Sequence, residues 1–313
     1  MPEILKCAPA FKDYLWGGDT LKKLYGVHAM EKVAEAWVLS CHPDGPSTID
    51  GGPLAQKTLP QALQELGPAA LGSRAARFPF FPQLIKLIDA KDRLSVQVHP
   101  SDAYALEHEK QFGKTEMWIV LDAKPGAGIY YGFQRPVSKE EFRHYIESQT
   151  LPEILNFVPA KKGDCFFIPS GTVHAIGAGL LIAEIQQNSN VTYRVYDYGR
   201  VGADGKQRPL HIEQAIAVSH TDVPKPHPTF AKQTREDAVI QPLAQCDYFT
   251  VDRITLNGTV TLTPQDSFLC VLVLEGSGQL NGRSFAPYDC FFIPADVPSC
   301  RVCGNAVFLT SRV

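Results

Sequence analysis

Short apolar runs rich in β-branched and aromatic residues recur along the chain, broken by Gly, Pro, Asn and Asp. An all-β sandwich or barrel requires this alternation. The clearest runs are Leu94-Ser95-Val96-Gln97-Val98-His99, Glu116-Met117-Trp118-Ile119-Val120-Leu121, Leu180 to Gln187, and Phe268 to Leu274. Helical signals are few. Thr58 with Gln61 and Ser138 with Glu141 have the spacing of a capping box, in which side chains satisfy the open amides of a first helical turn. The pattern therefore predicts helices near 58–66 and 138–148.

A repeat organises the rest. Asp164-Cys165-Phe166-Phe167-Ile168-Pro169 returns letter for letter as Asp289-Cys290-Phe291-Phe292-Ile293-Pro294, each copy preceded by a Gly-containing turn. One strand–turn–strand unit thus occurs twice, which predicts a mainly β protein of two related barrels with a small helical insertion. Between the copies, residues 220–237 are too rich in proline and charge for sheet and read as a linker, dividing the chain into 1–219 and 238–313. After the shared proline the first copy continues Ser170-Gly171-Thr172-Val173-His174. The second continues Ala295-Asp296-Val297-Pro298-Ser299, without a histidine. Chemistry is expected in the amino-terminal copy, with the other as its stripped counterpart.

Composition narrows the class. The 313 residues are 44% hydrophobic and 20% charged, the profile of a folded globular chain. A formal charge of −3 supplies no field to recruit nucleic acid or an anionic membrane surface, so any phosphate recognition must be local. The amino terminus, Met1-Pro2-Glu3-Ile4-Leu5-Lys6-Cys7, has no signal-peptide core, and no stretch approaches the ~18 apolar residues of a membrane span. A cytoplasmic protein is expected. The eight cysteines are scattered, imply no disulfides, and include one isolated Cys-x-x-Cys, Cys300 and Cys303.

Candidate chemistry gathers in the first copy. Gln97 and His99 are two apart in a strand and share a face, as do Lys114 and Glu116 in the next. If that face is the barrel interior, Gln97, His99, Glu116 and His174 converge. Two imidazoles, a carboxylate and an amide oxygen suit Zn²⁺, and Fe²⁺ or Mn²⁺ also fit; Gln97 either ligates directly or positions a ligand. With one carboxylate the site stays cationic and favours an anionic ligand or a developing oxyanion.

Gly163-x5-Pro169-x-Gly171-x2-His174 resembles the second motif of the cupin barrels, and Gln97-Val98-His99 followed by Glu116 resembles a variant of the first. Here the usual His-x-His is Gln-x-His, the glutamate is delayed by Ser101 to Gly113, and Ala178 stands where an asparagine is expected. A narrower resemblance is carried by Lys86-Leu87-Ile88-Asp89-Ala90, Leu94 to Asp102, Gly113-Lys114-Thr115-Glu116-Met117-Trp118, Tyr14 to Gly18, Glu35 to Ser40, and Glu184 to Asp197. These segments resemble the type I mannose-6-phosphate isomerases in their short bacterial form, over most of residues 10–215. The resemblance implies two cupin barrels (a jelly-roll-like bicupin), one zinc per chain held by Gln97, His99, Glu116 and His174, an active-site arginine at Arg194, and a sugar phosphate substrate.

An aldose–ketose isomerase needs a base and a stabiliser for oxygen charge. Glu184 shares a strand face with Ile182 and Gln186 and could serve as base or be a structural ion-pair partner. Lys114 could shuttle a proton or bind phosphate. Lys86, in an apolar strand, suits substrate contact, and Arg194 can fix the phosphate or the enediolate through its planar donors. No Gly-rich phosphate loop is present, so no nucleotide cofactor is implied. A sugar-binding bicupin without turnover and an iron oxygenase are the competing readings. The sequence leaves open whether the chain is a monomer or a homodimer.

Overall fold

The computed structural model describes residues 3–202 and 205–313; Met1 and Pro2, which begin the amino-terminal stretch read above, lie outside them. The chain is mainly β, and among the described residues no helix is long and apolar enough to cross a membrane. It divides into two compact units, each gathered from separate stretches. One comprises Met1–Ala10, Trp37–Lys86 and Pro228–Val313, the other Phe11–Ala36 and Leu87–His227.

The first unit is built on a nine-stranded sheet. Its spine is the antiparallel pair Thr250–Leu262 and Cys300–Arg312, in register from Thr250 opposite Arg312 to Leu262 opposite Cys300. Cys300 and Cys303 are three apart on this extended strand, so they face opposite sides and form no chelating loop. Leu269, Val271, Val273, Phe291, Ile293 and Phe308 belong to one buried apolar cluster. Gln233–Arg235, at the carboxyl end of the proline-rich stretch, does pair as a strand with Ala238–Gln245. Its three residues are exposed, which an edge strand permits because it needs only one ladder and no apolar face.

The second unit holds two sheets. The five-stranded sheet runs Tyr193–Tyr196, Val96–Val98, His174–Ile176, Gly128–Phe133, Leu155–Pro159. The six-stranded sheet runs Cys165–Ile168, Glu116–Ala123, Leu180–Gln187, then Gln83–Ala90, Glu35–Leu39 and Ala10–Lys12, three strands that carry the chain from one unit into the other. Both copies of the repeat are strands, and their ladders correspond. Ile168 pairs with Glu116 in the first, and Ile293 pairs with Leu269 in the second. A leucine thus occupies the position of the first copy's carboxylate.

Both expected helices form, as Leu59–Leu66 and Lys139–Glu147. The Thr58 box is complete, Gln61 N–H donating to Thr58 Oγ1 and Thr58 N–H donating to Gln61 Oε1. The Ser138 box is half made, because the Glu141 carboxylate turns to Arg135. Three further helices, Thr20–Leu24, Asp102–His108 and Ile212–Val218, are five to seven residues long, too short for a helical period to show in the sequence.

Thr58→Ala should lower the stability of the protein by about 1 kcal/mol, the usual worth of an N-cap side chain, read as a lower urea midpoint at unchanged slope. An unchanged midpoint would show that the helix start is held by packing instead.

Candidate metal centre

The two sheets of the second unit bring the candidate ligands together from opposite sides. Across the five-stranded sheet, Tyr131 pairs with His174, His174 with Gln97, and Gln97 with Arg194, so these four side chains form one row on one face. His99 lies one residue beyond the Val96–Val98 strand, and Glu116 opens its own. The close approach of strand ends is possible because Gly113 stands against the backbone of Pro100 to Asp102, where a Cβ would lie 2.5 Å from Asp102 N.

His99, Glu116 and His174 are buried, with one potential ligand atom from each lying within 4.8 Å of the others. The chemistry of the donors is fixed from behind. His99 Nδ1 meets the Val191 carbonyl at 2.8 Å and His174 Nδ1 meets the Thr172 carbonyl at 2.8 Å. A carbonyl only accepts, so each Nδ1 carries a proton and each ring turns its Nε2 inward, that of His99 toward the Lys114 ammonium. Burial pushes the His174 imidazole down to about 4, with the Lys114 ammonium adding to the effect, so this ring is neutral at neutral pH. Its Nε2 is 3.2 Å from Glu116 Oε1, and His99 Nε2 is 3.7 Å from Glu116 Oε2. The Gln97 amide is 3.4 Å from His174 Nε2, near the same point.

Lys114 tests whether this pocket suits a cation. Its ammonium lies 3.1 Å from His99 Nε2, 2.6 Å from Glu116 Oε2 and 3.7 Å from Glu184 Oε1. A positive group is thus already drawn among the inward lone pairs. Two imidazole nitrogens and a carboxylate match the donor set of a divalent ion, and a group of this composition could hold one.

Glu184 sits opposite Trp118 in the adjacent ladder and accepts the indole N–H at 2.9 Å through Oε2. Trp118 also sets its ring edge-on to His174 at 5.4 Å. The sequence reading passed over Trp118 because an indole in an apolar strand reads as core, although it falls two residues from Glu116 on the same face. Lys86 is buried on Gln83–Ala90 with its ammonium 4.9 Å over the Trp37 ring, and that placement belongs to the first unit.

Arg194 is held by its surroundings. Nη1 donates to the Pro209 carbonyl at 3.1 Å, its backbone N–H donates to His211 Nδ1, and Nε is buried with no partner among the described residues. Burial and then the neighbouring Arg208 press its guanidinium below the usual arginine range. Asp197, three residues on, gathers two more guanidiniums. Arg208 donates to it at 2.8 and 2.6 Å, and Arg200 Nη2 donates at 2.5 Å. Asp197 thereby ties the segment that carries Pro209 to the arginine's own strand, an arrangement the sequence reading did not find.

A buried His–Glu–His cluster with an ammonium among its donors and a row of polar side chains beside it defines a β protein with a group that could hold a metal ion. Comparison with known proteins places it further. Residues 4–123 match the family profile described as phosphomannose isomerase type I, catalytic domain, and residues 239–313 match mannose-6-phosphate isomerase, cupin domain. The chain is 40% identical to the mannose-6-phosphate isomerase of Streptococcus mutans, over 95% of this chain and 94% of that one. It is 37% identical to mannose-6-phosphate isomerase ManA of Bacillus subtilis, over 97% of each. The crystal structure of a mannose 6-phosphate isomerase from Bacillus subtilis superposes with a TM-score of 0.91 at 35% identity, covering all of both chains. The chain belongs to the type I phosphomannose isomerases, a family that catalyses the aldose–ketose isomerisation of mannose 6-phosphate.

Burial alone would raise the Asp197 pKa, but hydrogen bonds from Arg208 and then Arg200 outweigh it and hold the carboxyl below its usual range. With a folded pKa below the unfolded one, its contribution to stability is complete above the unfolded pKa near 4 and is lost as pH falls through the folded value. Asp197→Asn should therefore cost on the order of 2 kcal/mol at pH 7, the scale of charge-assisted hydrogen bonds, and the gap from wild type should close in acid. Denaturant titrations of both proteins at pH 7 and pH 3 check this; a gap independent of pH would contradict it.

Proposed function

We propose that this chain interconverts mannose 6-phosphate and fructose 6-phosphate through an enediol(ate), at a site formed by His99, Glu116 and His174 with Gln97, and that the resident metal is one Zn²⁺ per chain. The single observation that carries the reading is the convergence of two Nε2 lone pairs and the Glu116 carboxylate on one buried point beside the Lys114 ammonium. Zn²⁺ bound there supplies Lewis-acid stabilisation of oxygen charge without redox chemistry.

The chain's own groups supply the rest. Glu184, oriented by the Trp118 N–H, is the proposed base, taking the proton from C2 of the aldose and returning it to C1. Lys114, in contact with Glu116 and near Glu184, passes a proton to O1 and receives one from O2, so that the sugar's atoms and charge balance across the isomerisation. Arg194 turns its planar donors toward the anionic substrate, and Lys86 is assigned to substrate contact. The site lies within 1–219, the proposed catalytic cupin domain. Residues 238–313, gathered in one unit with 1–10, 37–86 and the end of the 220–237 stretch, are assigned to the degenerate second barrel of a bicupin, where Leu269 replaces the carboxylate. A cytoplasmic setting suits the eight free thiols.

Purified protein should convert mannose 6-phosphate to fructose 6-phosphate, lose turnover on chelator treatment and regain it when Zn²⁺ is returned. His174→Ala should fail to retain metal. Arg194→Ala should retain it and lose kcat/KM by roughly 100-fold or more, the scale of one missing preorganised donor. Metal-bound protein without turnover in any state would instead mark a sugar-binding bicupin, and near wild-type kcat/KM in Arg194→Ala would remove that residue from the reaction.

A further inference from the structure

Behind His99 lies a second layer of buried polar groups that the reaction does not use. Gln186 and Gln187 end the strand Leu180–Gln187 and point to opposite faces. Gln186 has no exposed surface and stands directly across the ladder from Glu116. Both hydrogens of its amide are committed, Nε2 donating to the carbonyls of Gln187 and Ser189 at 2.7 Å each. Its Oε1 is buried and meets no partner among the described residues. Leaving a buried acceptor unsatisfied costs the desolvation of that group, which an apolar side chain of the same length would avoid. Stability is therefore a poor reason for a glutamine here, and the two bonds made by its Nε2 are the better one.

Those bonds close the turn that follows. Ser189 N–H donates to the Gln187 carbonyl at 2.8 Å, and Val191 N–H donates to Ser189 Oγ at 3.2 Å. The Val191 carbonyl then accepts the His99 Nδ1 proton. On the other face, Gln187 grips the strand of the remaining groups. Its Oε1 accepts Thr115 N–H at 2.8 Å and its backbone N–H donates to the Thr115 carbonyl at 3.1 Å, between Lys114 and Glu116. Gln187 Nε2 donates to Asp102 Oδ1 at 2.8 Å, which also accepts Gly113 N–H.

We infer that the Gln186–Val191 turn is the positioning element of the metal centre, with Gln186 as its keystone. Gln186 holds the turn closed, the Val191 carbonyl locks His99 in the Nδ1-protonated form, and Gln187 sets the strand that carries Lys114 and Glu116. The inference rests on the divalent-ion reading above and names the residues that set affinity at that site. Outer partners of metal-bound histidines commonly tune affinity by 10- to 100-fold.

The test measures the Zn²⁺ dissociation constant of the full chain by competition with a chelating dye. It also records the histidine ¹⁵N spectrum of the metal-free protein, which reports which ring nitrogen holds the proton. Gln186→Met should weaken Zn²⁺ binding at least about 10-fold and mix the tautomers of His99. Ser189→Ala, a smaller change, should move both in the same direction and decides the question if Gln186→Met does not fold. Gln83→Met removes a buried glutamine of the other unit, one that accepts from Ser311 Oγ, and should leave both readouts unchanged. Wild-type affinity within twofold and an unchanged His99 spectrum in both turn variants would overturn the inference, as would an equal loss in Gln83→Met. Wild-type protein that binds Zn²⁺ no better than His99→Ala would overturn the ion reading itself.

Discussion

A carboxylate with no exposed surface constrains everything around it. Glu116 is fully buried, and an ion in that position is tolerated only with opposite charge and directed hydrogen-bonding groups at hand. The Lys114 ammonium supplies the opposite charge here, and a bound divalent ion, drawing on the two imidazole lone pairs as well, would meet the requirement more completely. The demand reaches outward, because each imidazole presents its lone pair only while a backbone carbonyl holds the proton on the opposite nitrogen. Thr172 and Val191 are therefore part of the site's chemistry although they contribute only backbone.

The repeat shows the same constraint from the other side. The two copies of the six-residue motif form equivalent strands against equivalent partners, yet Glu116 in the first ladder is matched by Leu269 in the second. With the carboxylate gone, nothing requires the lysine, the histidines or the bonds that orient them. Leu269, Val271 and Ile293 join an ordinary apolar core. A fold can carry either interior, and the charged one is retained only where function demands it.

Much of this was legible in the sequence. Period-two spacing put Gln97 with His99 and Lys114 with Glu116, and the loss of histidine after Pro294 separated the equipped copy from the stripped one. Thr58 and Ser138 announced their helices through local bonds. What escaped was non-local. Pairing of Leu5–Ala8 with Cys290–Ile293 joins the ends of the chain in one compact unit, and no local pattern encodes a partner so distant. Trp118 and Gln186 escaped for another reason, since their importance lies in one hydrogen bond to Glu184 and two to a turn, and the same residue types serve equally well as core. Asp197 lies in a segment quoted for its family resemblance, but its hold on Arg200 and Arg208 depends on a chain reversal that the spacing does not reveal.

The central claim, that His99, Glu116 and His174 hold the catalytic ion, is met most directly by anomalous diffraction at the zinc edge from crystals of the zinc-loaded protein. The account predicts one strong peak per chain, bounded by His99 Nε2, His174 Nε2 and the Glu116 carboxylate. A fully occupied peak elsewhere, with none among these three residues in protein that turns over mannose 6-phosphate, would contradict it.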